Sequence, residues 1–261
     1  MNNKQPVLFI GHGHPINAID KNNFTEALEN FGASLQKPKA ILVVSAHWET
    51  NGTYVSTSEN PETIYDFGNF HPDLFKIRYL ADGSPEFAAE TIKAEGEYVV
   101  KPDRGMGLDH GAWTILKYLF PKADVPVFQL SLDYTKPPEY HYELGKNLSK
   151  LREKGLLIIG SGNIVHNLKT VSWFERDAKT PDWAIDFDAT AKKYLLENEY
   201  KKLINYNTLG EAAKASIPTN EHYLPMLYSL ALREKNEQLK FIFEGFQYGS
   251  ISMRAFMISD E

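Results

Sequence analysis

The sequence predicts an α/β fold, with a central, mostly parallel sheet covered by helices on both faces. Three features point there. Short unbroken apolar runs recur at residues 7–10 (VLFI), 40–44 (AILVV), 126–132 (PVFQLSL) and 156–159 (LLII); uninterrupted and partly β-branched, they read as strands buried on both faces. Segments with apolar residues at helical spacing separate them, which is the alternation that builds parallel sheets. The first, second and fourth runs also stop abruptly at small or polar residues, Gly11-His12, Ser45-Ala46-His47 and Gly160-Ser161-Gly162-Asn163. In open α/β sheets the carboxyl ends of the strands form the ligand crevice, so a metal site is expected at that end.

In chain order, the strand at 7–10 is followed by a helix over 23–35, where apolar residues fall at helical spacing. The strand at 40–44 leads to a short strand over 53–58. A long loop then spans 59–84, and loops of that length in compact domains are usually functional or mobile. Pro85 opens a helix over 85–95. Val99 and Val100 begin a small extended piece, and the loop 103–111 leads into a helix over 112–120. After the strand at 126–132, a helix over 139–154 closes at Gly155, and the fourth apolar run follows. The last third is more helical, with 181–199, 209–215 and an amphipathic 219–233 whose Pro225 suits a first turn. Two strands around residues 247–249 complete the chain. With no repeat, low-complexity tract or linker, a single domain over 1–261 is expected.

Composition narrows the function. A net charge of −6 without a basic cluster argues against nucleic acid. No apolar stretch reaches the ~18 residues of a membrane span, and the amino-terminal run is too short for a signal peptide, so a cytoplasmic protein is expected. The chain has no cysteine, which removes disulfides, thiolate metal ligands and cysteine nucleophiles together. Any metal must be held by carboxylates and the eight histidines.

Those histidines are placed suggestively. His12 and His47 end two buried strands, and neighbouring strands lie about 4.8 Å apart, so both imidazoles can reach one ion. His110, His166 and His222 also fall at element ends or loop corners, as do His14 and His71 in loops. His141 lies in a helix that reads as surface, and no role is assigned to it. Imidazole and oxygen ligands without sulfur suit Fe(II), Zn or Mn.

Six blocks carry a likeness to a known family: GHGHP (11–15), VVSAHWET (43–50), TIYDFGNF (63–70), GLDHGAW (107–113), SGNIVHNL (161–168) and EHYLPMLY (221–228). By these the chain resembles the LigB-type (class III) extradiol ring-cleavage dioxygenases, within them the 4,5-DOPA extradiol dioxygenase branch. The resemblance implies a non-haem Fe(II) site that opens a catechol with O2, Zn(II) being a possible occupant of purified protein. It implies His12, His47 and His222 as metal ligands. His166 matches a histidine described in the family as acid/base or as a further, fourth ligand, and three ligands leave more open positions than four. His110 matches a residue expected to touch substrate or oxygen.

Tyr65, Asp66, Phe67 and Phe70 lie in a loop expected to form a substrate wall or lid, with a plain surface loop as the alternative. Ser161 and Asn163 are expected beside the metal and substrate, and Gly162 serves either access or backbone geometry alone. Two departures stand out. His14 replaces the family's usual Ser, as bystander, ligand support or adventitious ligand. Glu221, the nearest carboxylate to His222, competes with it as third ligand. The partners expected are a catechol and O2, with oligomeric state open. A zinc-dependent hydrolase and a non-enzymatic binding protein on the same scaffold are the alternatives.

Overall fold

The computed structural model describes residues 4–94 and 96–260. Its strands are β1 (Val7–Gly11), β2 (Ala40–Thr50), β3 (Thr53–Ser56), β4 (Val100–Asp103), β5 (Val127–Asp133), β6 (Leu156–Gly162), β7 (Gln238–Phe243), β8 (Phe246–Gln247), β9 (Ile251–Ser252) and β10 (Ala255–Ser259). Eight of them form one sheet in the order β4-β3-β5-β2-β6-β1-β10-β7. The central four, β5-β2-β6-β1, are parallel. Antiparallel β10 and β7 extend one edge, and β3 meets β5 antiparallel on the other. The helices are α1 (Asn23–Ser34), α2 (Pro85–Lys93), α3 (His110–Leu119), α4 (Pro138–Asn147), α5 (Ser149–Glu153), α6 (Asp182–Leu196), α7 (Tyr200–Ile204), α8 (Glu211–Ser216) and α9 (Leu224–Ala231).

Every residue of β1, β5 and β6 is buried, which is why the sequence shows unbroken runs there. The strand period of two splits the core into two layers. Val7, Phe9, Leu42, Val44 and Ile158 face Leu144 of α4, Phe187 of α6 and Leu227 of α9. Leu8, Ile10, Ile41, Val43 and Ile159 face Phe24 and Leu28 of α1 and Trp113 and Leu116 of α3. Burying a side chain of this size contributes about 1.5–3 kcal/mol, so each layer anchors its helices firmly.

The boundaries differ from expectation where tertiary contacts intervene. β2 does not stop at residue 44 but continues to Thr50. The expected helix 139–154 is two: α4 closes with Leu148 N–H on Gly145 O, and α5 starts at Ser149. The expected helix 219–233 begins only at Leu224, because residues 218–223 turn to deliver His222. α3 starts two residues early, since the Asp109 side chain caps it by accepting Ala112 N–H at 3.1 Å. Of the expected helix 85–95, Glu95 lies outside the described residues. His141, read as a surface residue, is fully buried with Nδ1 3.1 Å from the Tyr228 hydroxyl. No helix among the described residues is long and apolar enough to cross a membrane.

Candidate metal centre

Four structural devices bring histidines to the carboxyl end of the parallel strands. β1 ends at Gly11, where a Cβ would lie 2.8 Å from Ser252 O, and His12 follows with its N–H on Gly162 O. β2 breaks register: Val44 pairs with Leu130 but Glu49 with Leu132, so five steps on β2 oppose two on β5. His47 sits in that irregular stretch, and a bulge of this kind re-aims side chains. His110 opens α3. His222 lies in the turn before α9, which packs so closely on β6 that a Cβ on Gly162 would be 2.1 Å from His222 O.

The hydrogen bonds fix which nitrogens face inward. The Ser161 hydroxyl donates to Gly111 O at 2.6 Å, so its oxygen accepts from His12 Nδ1–H at 3.0 Å. His12 Nε2 then carries a lone pair. Glu221 Oε1 lies 2.9 Å from His222 Nδ1 and accepts its proton, which leaves Nε2 of that ring bare. Carboxylate or hydroxyl partners of this kind orient metal-binding imidazoles and raise their basicity. His12 Nε2 and His47 Nε2 are 3.0 Å apart. Two ligands of one cation at about 2.0–2.1 Å subtend roughly that distance when they meet it near a right angle. Ligand atoms of His12, His47 and His222 all lie within 4.8 Å of one another. Neutral nitrogen donors converging without sulfur fit a divalent transition metal.

His166 falls in a different trio, with Glu221 and His222, and stacks on the His222 ring at 3.4 Å between centroids. His110 groups with His47 and Asp66. Asp66 accepts both the backbone N–H and Nδ1–H of His110 at 2.9 Å, which leaves Nε2 as the ring nitrogen without a protein partner among the described residues.

Burial dominates the electrostatics. It drives His12, His47 and His222 well below the ordinary imidazole value of 6.5, with repulsion from His47, His110 and His166 respectively as the next cause. Burial, then His110, lowers His166 and His14 to about 4. These rings are therefore neutral near pH 7, with lone pairs available. Burial pushes the Asp66 carboxyl up, but the hydrogen bonds and charge of His110 outweigh it and hold it low. Asp109, buried behind His110 and bonded by Ser45 and Gln129, is pushed up to about 6 by burial and by Asp66.

The five histidines open onto one cavity of about 200 Å³, walled further by His14, Asp66, Phe67, Phe70, Leu168, Trp173 and Ile251. Three residues expected to touch substrate stand outside that wall. Tyr65 turns its hydroxyl onto Ile77 O and its ring toward Trp113; Ser161 lies behind His12; Asn163 donates to Ser252 O. Glu221 backs His222, and His71 caps a short 3-10 turn at Pro72–Lys76. Trp173, Leu168 and Ile251 were not foreseen. The adjacent aromatics Trp173 and Phe174 in a polar stretch were the available signal.

The catalytic LigB subunit of aromatic ring-opening dioxygenase is the family whose model matches residues 7–255. A protein of Escherichia coli (strain K12) named 4,5-DOPA dioxygenase extradiol is 40% identical over 259 residues, covering 98% of this chain and 95% of that protein. One of the same name from Beta vulgaris is 36% identical over 256 residues, covering 96% and 95%. The crystal structure of an uncharacterized protein from Escherichia coli K12 superposes with a TM-score of 0.85 at 39% identity, covering 98% of this chain and all of that one. The matched span holds the parallel strands and every histidine of the centre, and the chain belongs to the LigB family of aromatic ring-opening dioxygenases.

Proposed function

We propose that this chain is an extradiol ring-cleaving dioxygenase that holds Fe(II) through His12, His47 and His222 and opens a catechol of the DOPA type, both atoms of O2 entering the product. The observation that carries the reading is the convergence of inward-facing imidazole nitrogens on one cavity, with hydroxyl and carboxylate partners behind them. When bound, Fe(II) supplies one coordination sphere in which a catecholate and O2 meet and exchange electrons.

The side chains supply the rest. Ser161 and Glu221 keep His12 and His222 in the tautomer that offers Nε2. His166 lines the cavity beside His222 and is neutral at working pH, so it can take a proton from a catechol hydroxyl. His110 Nε2, with Asp66 fixing the far nitrogen, can hydrogen-bond the second catechol oxygen. Phe67, against His110 at 5.4 Å between centroids, gives the aromatic ring an apolar face and limits water.

Zn(II) outranks Fe(II) for imidazole sites, so the test uses metal-free protein loaded anaerobically with Fe(II). Admitting O2 to the loaded protein with a catechol panel should give a yellow ring-opened product. Hydrolysis of ester substrates by the zinc form, with no ring opening by the iron form, would sink the reading. His47→Ala should lose metal and activity together; His166→Ala should lose activity and retain most of the metal.

A further inference from the structure

One imidazole of the cavity wall has no part in that chemistry. His14 is 8% exposed, and Gly13 before it takes the left-handed conformation (φ +64°) that turns the chain from His12 onto the outer wall. His14 Nδ1 accepts the backbone N–H of Ile16 at 3.0 Å. A nitrogen that accepts carries a lone pair, so the ring is neutral and its proton is on Nε2. That N–H has no protein acceptor among the described residues.

Its surroundings are aromatic. Phe70 meets the His14 ring edge-on at 4.3 Å between centroids, Trp173 at 5.5 Å, and Tyr248 lies at 5.4 Å. Phe70 and Trp173 stack on each other at the mouth, 47% and 40% exposed. Among the described residues no Lys or Arg lines the cavity, and its one carboxylate, Asp66, is engaged by His110. The outer wall is thus largely apolar; the Trp173 indole N–H, on a residue 40% exposed, also has no protein acceptor among the described residues, but His14 Nε2–H is the buried spare donor. A ligand bringing an oxygen acceptor to that donor completes it; a ligand without one leaves a desolvated N–H unpaired, which selects against it.

We propose that His14 Nε2–H determines substrate choice by donating to an acceptor oxygen, carboxylate or carbonyl, on the catechol's ring substituent. Catechols with such a substituent are then taken in preference to alkyl or aminoalkyl ones. The proposal rests on the reading of this cavity as the catechol site. A hydrogen bond of ordinary net strength is worth about tenfold in affinity.

The Fe(II)-loaded protein, His14→Phe and His14→Gln are compared on 3-(3,4-dihydroxyphenyl)propionate, its amide, 4-propylcatechol and dopamine. Cleavage is followed by kcat and KM, and anaerobic binding by quenching of tryptophan fluorescence, with Trp173 nearby as reporter. The wild type should favour the propionate and the amide over 4-propylcatechol by about tenfold or more, with dopamine lowest. In His14→Phe the preference should fall toward unity through KM, and dissociation constants should follow. His14→Gln, which keeps an N–H donor, should restore most of it, and His14→Ala gives the same loss as Phe without added bulk. Preference for the propionate without the amide supports the proposal for carboxylates alone. A wild type indifferent to the substituent, or a preference unchanged in His14→Phe and His14→Ala, overturns it. Binding that keeps the preference with no catechol cleaved sinks the ring-opening reading and leaves the role of His14 standing.

Discussion

Removing the Ser161 hydroxyl tests the proposal that this centre holds a metal through His12. In Ser161→Ala, His12 Nδ1–H loses its acceptor at 3.0 Å in a place with no solvent exposure. The ring has two ways out. It can keep its tautomer and bury an unpaired donor, at about 1–3 kcal/mol. Or it can move the proton to Nε2, where His47 Nε2 lies 3.0 Å away as an acceptor, and so give up the lone pair a metal needs. Metal-free protein takes the second route at little cost, and metal binding forces it back to the first. The penalty therefore falls on affinity rather than on folding: about 10–100-fold weaker binding, or about 1.4–2.8 kcal/mol. Competition with a fluorescent chelator measures the first quantity, and thermal melts of metal-free protein the second. Affinity within twofold of wild type, or a metal-free melt that drops as far as the loaded one, would refute the tautomer argument.

Gly162→Ala places a Cβ 2.1 Å from His222 O, and backbone there has nowhere to go without shifting the turn. We expect a loss of about 1–3 kcal/mol in urea unfolding together with weaker metal binding, whereas a variant with native stability and affinity would contradict the close-packing account. His141, lowered to about 4 chiefly by burial, is neutral in both states above pH 6.5, but between 6.5 and 4 the unfolded chain takes a proton the folded one refuses. Stability should therefore fall with pH across that window, by at most about 3 kcal/mol, and His141→Leu should flatten this part of the curve in unfolding titrations.

The parts legible in the sequence were those that regular periodicity encodes. A strand buried on both faces must be apolar throughout, so the central strands and the histidines closing them, His12 and His47, announce themselves. His166 and His222 carry no such signature; they were legible through the family blocks around them. Side-chain direction in the loops was not legible, because it is decided by distant partners: Tyr65 is drawn to Ile77 O and Trp113 although it neighbours Asp66, which faces the site. α4 misled because it buries only His141, Leu144 and Gly145. That is a stripe at i, i+3 and i+4, too narrow to stand out against a polar helix. The irregular pairing of β2 depends on how β5 accommodates Ser45 to Trp48, which no local pattern records.

If His12, His47 and His222 hold the metal as proposed, the placement of charge accounts for a site without a directly bound carboxylate. A carboxylate bound directly to a dication would cancel part of its charge and occupy a position that substrate needs. Here the negative groups stand one ring behind: Glu221 against His222 Nδ1 at 2.9 Å, and Asp66 at 2.9 Å from His110 Nδ1 and 3.6 Å from His47 Nδ1. At roughly 6 Å and an effective dielectric near 20, each such charge still acts on the centre with about 3 kcal/mol. Burial and the charge of Glu221 together raise the Glu49 carboxyl, so the negative potential reaches beyond the groups in contact. A cation held this way is stabilised without being neutralised by its own ligands, and it keeps both the open positions and the attraction for an anionic diol that a ring-opening site requires.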